Sequence, residues 1–166
     1  MKKILLIITL FISVHCLAQQ QLAFPFQGGS TAMTQFFRDS LKVSPDIIRA
    51  KASGIVIFKF SVDGKGAIKN VVIYYADDAI LAPPAIDALK KSNKKWIIPD
   101  PDHEKLHDFI LPFMISFNAG DNTDRDTQNQ QLNFYAKHKP ILSHDQIPLN
   151  FTTLLPAVVV KYDAGQ

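Results

Sequence analysis

The sequence has a single cysteine, Cys16, which lies near the beginning of the 166 residues. Because the segment around it has the form of a removable leader, we expect a mature chain without cysteine. Such a chain can form no disulfide, so its fold depends on packing. A cysteine nucleophile and a thiolate metal site are excluded for the mature chain by the same reasoning.

A large excess of charge of one sign is also lacking. The chain has 18 Lys and Arg against 15 Asp and Glu, which gives a formal net charge of +3 at pH 7. Lys2 and Lys3 belong to the leader, so the remainder is almost neutral. Nucleic-acid-binding domains usually carry a strongly basic face, and no nucleic-acid partner is expected here.

The N-terminus, residues 1–18, has the three parts of a secretory signal peptide. Two lysines precede an apolar run over residues 4–14, and small residues, Cys16 and Ala18, stand at the third and first positions before the predicted cut. The pattern predicts cleavage after Ala18 and export to the periplasm or cell envelope.

Two alternatives to cleavage remain open. A retained anchor would need a longer apolar run, because a spanning helix takes about 20 apolar residues. A lipid on Cys16 would favour a very small preceding residue, whereas His15 stands there. Since no second apolar run reaches spanning length, we expect no transmembrane anchor in the mature chain.

A β-hairpin is the clearest local pattern. Val56, Phe58 and Phe60 alternate with residues of the opposite face, as in a half-buried strand. Glycines 64 and 66 supply the turn, and residues 68–75 return as a strand rich in β-branched and aromatic side chains.

Helices are predicted on both sides of this hairpin. Ser30 or Thr31 can cap a first helix, whose apolar face is Met33, Phe36, Phe37 and Leu41. Ser44 and Pro45 begin a short second helix. After the hairpin, two prolines lead into a helix that carries Ile86 and Leu89, and Trp96 follows it.

A final strand is predicted over residues 109–117. Its alternating apolar residues are Phe109, Leu111, Phe113, Ile115 and Phe117. Pro112 falls on the other face and cannot donate a backbone hydrogen bond, which favours an edge position for this strand.

Taken in order, these segments resemble a known domain. Residues 54–64 are similar to a glycine-led strand that ends in an Asp-Gly turn, and residues 85–90 with Trp96 are similar to a helix and its tryptophan-containing exit. With the proline-containing strand over residues 111–117, the set resembles the C-terminal domain of TonB-type energy transducers, over residues 24–117.

The resemblance implies an α+β fold: a three-stranded antiparallel sheet with helices packed on one face. We expect its core to contain Val56, Phe58, Phe60, Val71, Ile73, Leu89, Trp96 and Phe113. The family's closing strand offers its edge to an extended segment of an outer-membrane TonB-dependent receptor, by β-strand addition. Here that partner-binding edge would be Phe109, Leu111, Phe113, Ile115 and Phe117.

The function implied is protein binding in envelope transport and energy transduction, without enzymatic activity, cofactor or metal. The transducers' membrane helix and long proline-rich linker have no counterpart visible in the sequence, so recognition carries over more directly than force transmission. Two copies of the chain could also pair through the same edge.

The rest of the chain is predicted to be a polar linker, residues 118–131, and a tail, residues 132–166. Within the tail, residues 157–162 form a strand candidate. The alternative function is therefore a self-contained envelope protein in which this tail strand caps the sheet edge.

A remote alternative is a zinc peptidase. His103, Glu104 and His107 satisfy H-E-x-x-H, which on a helix places two imidazoles on one face with a glutamate as general base. The context disagrees, because Lys105 lies between the histidines and a predicted strand follows directly. An exposed polar turn explains the segment better.

Overall fold

The computed structural model describes residues 24–101, 105–120, 124–144 and 152–163. Within these ranges the helices are α1 (Gly29–Ser40), α2 (Pro45–Ala50), α3 (Ala82–Lys91) and α4 (Arg125–Lys137). A single 3-10 turn, Ala79–Leu81, precedes α3. The strands are β1 (Gly54–Asp63), β2 (Ile68–Ala76), β3 (Leu106–Phe117), β4 (Ile141–Leu142), β5 (Thr152–Leu154) and β6 (Val158–Tyr162). The predicted signal peptide lies outside the described residues.

The strands form one six-stranded sheet in the order β4-β2-β1-β3-β5, and β6 also pairs with β3. β1 is antiparallel to both β2 and β3, whereas β5 and β6 run parallel to β3. The α+β class is therefore confirmed, but the prediction of three antiparallel strands is wrong. The three additional strands come from the tail, and the long connection through α4 allows the parallel pairing.

The core lies on the face of the sheet that carries the phenylalanines of β1 and β3. The ring of Phe37, on α1, lies 5.2 Å from that of Phe113. Trp96 lies 4.8 Å from Phe60. These rings seat α1 and the segment after α3 on the same face of the sheet.

Most of the predicted core residues are buried. Val56, Phe58, Phe60 and Phe113 are fully buried, and Leu89 and Trp96 nearly so. Ile73 is partly buried against the core. Val71 departs from the prediction, because its side chain is 42% exposed.

The predicted hairpin turn is present and is held by Asp63. Its Oδ1 accepts hydrogen bonds from the backbone N–H groups of Lys65 and Ala67, both at 2.9 Å. The bond from Ala67 is the largest of the interactions that lower the pKa of Asp63. Gly66 has φ +75° and a Cβ there would lie 2.5 Å from the carbonyl oxygen of Trp96, so this position requires glycine.

The segment predicted as a linker differs most from expectation. α4 begins inside it, capped by the side chain of Asp124, which accepts from the backbone N–H of Thr127 at 2.6 Å. Thr127 is buried and Phe134 packs partly against the core. With so few inward-facing side chains, the helix has almost no apolar periodicity to reveal it.

A buried hydroxyl connects the last strand to the helical layer. The Tyr162 hydroxyl lies 3.0 Å from the carbonyl oxygen of Ile47 and 2.8 Å from that of Ala52. Burial raises the pKa of Tyr162.

We expect Tyr162→Phe to lower the free energy of unfolding by about 1–3 kcal/mol, because a buried acceptor loses its donor. Urea denaturation measures this loss. Tyr135→Phe is the matched control, since Tyr135 is 51% exposed and should tolerate the change. Equal effects of the two substitutions would contradict the role of the Tyr162 hydroxyl.

Candidate protein-binding edges of the sheet

The residues predicted to bind a partner form part of the core. Four of them point to the inward face of β3 and are fully buried: Phe109, Leu111, Phe113 and Ile115. Phe117 is partly buried, and its ring lies 5.4 Å from that of Tyr162. Their side chains are therefore not available to a partner in this structure.

The edge of β3 is itself occupied by the chain's own tail. β5 pairs with residues 108–110 and β6 pairs with residues 113–117. Pro112 falls between these two pairings, where its missing N–H costs no ladder hydrogen bond. A partner strand cannot add to this edge while the tail remains in place.

β6 is packed into the core as well as paired. Val158 is fully buried, and Val160 and Tyr162 are almost so. The backbone N–H of Asn118, just after β3, donates to the carbonyl of Tyr162 at 2.8 Å. The tail strand is therefore a structural part of the sheet.

Among the strands that the structure describes, none lies beyond the outer side of β6. The carbonyl oxygen of Val159 accepts a hydrogen bond from Nε of Arg38 at 3.2 Å. Two adjoining depressions, of about 380 and 420 Å³, lie beside this outer side of β6. Both have Arg38, Val160 and Lys161 in their walls.

The opposite side of the sheet has an open strand beside a groove. β4 pairs only with Tyr75 and Ala76, so among the described residues no strand covers the rest of β2. A groove of about 390 Å³ lies between β2 and α3. Its apolar lining is Ile68, Val71, Ile86 and Leu89. This groove explains the exposure of Val71, because α3 does not cover it.

The rim of this groove is polar. The side-chain oxygen of Asn93 accepts from the backbone N–H of Ile68 at 2.9 Å, which fixes one end. Lys69 and Lys90 also line it. Each has a carboxylate partner: Nζ of Lys69 lies 3.4 Å from Oδ2 of Asp63, and Nζ of Lys90 lies 3.9 Å from Oδ1 of Asp87. The positive charge of this rim is thus partly neutralised.

Sequence reasoning missed this groove for a specific reason. Val71 alternates correctly for an inward-facing strand residue, and the pattern therefore assigns it to the core. Only the placement of α3 relative to β2 leaves it exposed. The sole hint in the sequence is that polar residues, Lys69 and Asn70, immediately precede it.

A metal-dependent active site finds no support in the described ranges. They contain no group of three or more His, Cys, Asp or Glu side chains placed to hold a metal ion. His107 lies in β3 and not on a helix, with Nε2 2.7 Å from the Thr153 hydroxyl. His103 and Glu104 lie outside the described residues.

A search of the described helices finds none with the length and apolar character needed to cross a bilayer. Comparisons with protein-family models, curated proteins and solved structures find no match to this chain.

Removal of residues 157–166 tests whether the tail closes β3. We expect the truncated protein to self-associate or to unfold at a lower urea concentration, because the outer edge of residues 113–117 in β3 loses its partner strand. Sedimentation velocity at several concentrations and urea denaturation measure the two effects. A monomer of unchanged stability would show that β6 does not close the edge.

Proposed function

We propose that this chain is an exported, non-enzymatic protein-binding domain that recognises an extended partner segment by β-strand addition. Its role in envelope transport is inferred from the resemblance to the TonB C-terminal domain. The observation that carries the proposal is the part of β2 that no described strand covers, which runs beside an apolar groove.

Strand addition uses two kinds of contact, and this site offers both. The backbone of an open strand supplies hydrogen bonds to any extended chain, while pockets beside it select alternate side chains. Here Val71 is exposed and Ile86 is partly buried along the same groove. An aliphatic side chain of the partner would remove both from water, which favours binding.

The site proposed differs from the edge that the sequence motifs indicate. In the TonB-type arrangement the partner adds to the closing strand, but here that strand is β3 and its edge holds β5 and β6. We therefore assign recognition to β2 instead. An outer-membrane receptor remains the class of partner that the resemblance suggests.

The second candidate is the self-contained envelope protein, and the anchoring of β6 favours it. In that case the domain contributes structure to the envelope, and its open edges bind no segment. Peptide binding at β2 separates the two functions.

We expect terminally blocked octapeptides of alternating aliphatic and polar residues to bind at the groove with measurable affinity. ¹⁵N-labelled protein, titrated with a set of such peptides, should show amide shifts concentrated in β2 and α3. Val71→Asp should weaken binding by about tenfold or more, because it places a charge where an apolar side chain would dock.

Val72→Asp is the matched control. Val72 pairs with Lys59 and therefore faces away from the groove, on the same strand. It should leave peptide affinity unchanged. Absence of binding across the set, or equal effects of Val71→Asp and Val72→Asp, would overturn the proposed function and favour the structural candidate.

A further inference from the structure

We infer a second docking site, at the outer edge of β6, that binds an extended segment carrying acidic side chains. It lies on the opposite side of the sheet from the groove at β2. The inference does not depend on peptide binding at β2.

Three cations surround this edge. Arg38 and Lys42 come from the C-terminal end of α1 and the residues after it, and Lys161 comes from β6. All three are exposed. None of them forms an ion pair with a carboxylate of the described residues, in contrast to the lysines at the β2 groove. The nearby carboxylate of Asp39 instead accepts from the Gln35 amide at 2.9 Å.

The guanidinium of Arg38 has one anchoring contact. Its Nε donates to the Val159 carbonyl at 3.2 Å, and this bond uses none of the N–H donors of the two terminal amino groups. A planar pair of N–H donors matches the two oxygens of a carboxylate. Because this hydrogen bond already restricts the Arg38 side chain, binding of a carboxylate there would cost less arginine side-chain entropy than binding to an unrestrained arginine.

The backbone of β6 explains why an extended segment fits better than a free anion. Val158, Val160 and Tyr162 face the core, and the carbonyl of Val159 points to the outer side, towards Arg38. By alternation along the strand, the backbone groups of Lys161 share that outer side. The Val159 carbonyl already accepts from Arg38, so an extended segment would hydrogen-bond to the backbone of Lys161 while its acidic side chains reach the cations.

The shape of the site favours a peptide over a membrane surface. The depression of about 380 Å³ has four apolar residues in its lining, namely Leu41, Val43, Ile48 and Val160. A concave site lined by both apolar and cationic side chains suits an inserted side chain of a peptide. Anionic bilayers are instead bound by basic residues that project from a surface.

A pair of blocked peptides tests the inference. One alternates valine with aspartate and glutamate, and the other is its asparagine and glutamine isostere. We expect the acidic peptide to bind, with amide shifts centred on β6 and the end of α1, and the isostere to bind at least about tenfold more weakly. Raising the salt concentration from about 50 to about 500 mM should weaken binding of the acidic peptide, because salt screens exposed cations.

Variants assign the effect to this site. Arg38→Gln and Lys161→Gln should each weaken binding of the acidic peptide several-fold, and Arg38→Lys should not restore it fully, since lysine lacks the planar pair of donors. Lys137→Gln removes an equivalent exposed charge on α4 and should have no effect. Val71→Asp should also have no effect, which keeps this result separate from binding at β2.

Three results would overturn the inference. Acidic peptide and isostere could fail to bind or could bind equally, which would indicate that the charges only protect the strand edge from aggregation. The shifts could map away from β6. Alternatively, vesicles of phosphatidylglycerol could bind in an Arg38-dependent manner while the acidic peptide does not, which would identify a lipid surface as the partner.

Discussion

The pairing of β6 with β3 is the contact on which the arrangement of this domain depends. Without it, residues 113–117 of β3 would have no partner strand on their outer edge. With it, the inward side chains of both strands join one core, and Tyr162 connects the sheet to the carbonyl groups around α2. The pairing also fixes which surfaces remain for a partner, because it removes the β3 edge from solvent.

Two outer edges result, and they differ in chemistry. The open part of β2 borders an apolar groove whose rim lysines have carboxylate partners. The outer side of β6 borders depressions in which Arg38, Lys42 and Lys161 have no such partners among the described residues. The selectivities proposed above, for aliphatic side chains at one edge and for acidic side chains at the other, are based on this difference.

The elements that depend on local pattern were predictable from the sequence. The hairpin, the short helix capped by Ser44 and the helix after Pro83 and Pro84 all depend on residues close in sequence. The tail strands depend instead on distant partners: β5 and β6 pair with residues of β3 about 45 positions earlier, and β4 pairs with residues of β2 about 65 positions earlier. The helix α4 offers almost no apolar periodicity. Local pattern therefore indicates the strand over residues 157–162 but not the strand that it pairs with, and it gives no indication of α4.

The candidate sites were less predictable than the fold. Alternation correctly places Phe109 and Phe113 on one face of β3, but it cannot tell whether another strand covers the edge. In the same way it assigns Val71 to the core, although the position of α3 leaves that residue in a groove. Exposure depends on which elements meet, and that information is spread over the whole chain.

Native-state amide hydrogen exchange tests most directly whether β6 is an integral strand. If the tail closes the sheet as described, the β6 amides that hydrogen-bond to β3 exchange only when the whole domain unfolds. Their free energy of opening then equals that of the Phe58 and Phe60 amides in β1. Exchange from β6 through a separate opening of much lower free energy, while β1 stays protected, would contradict the account.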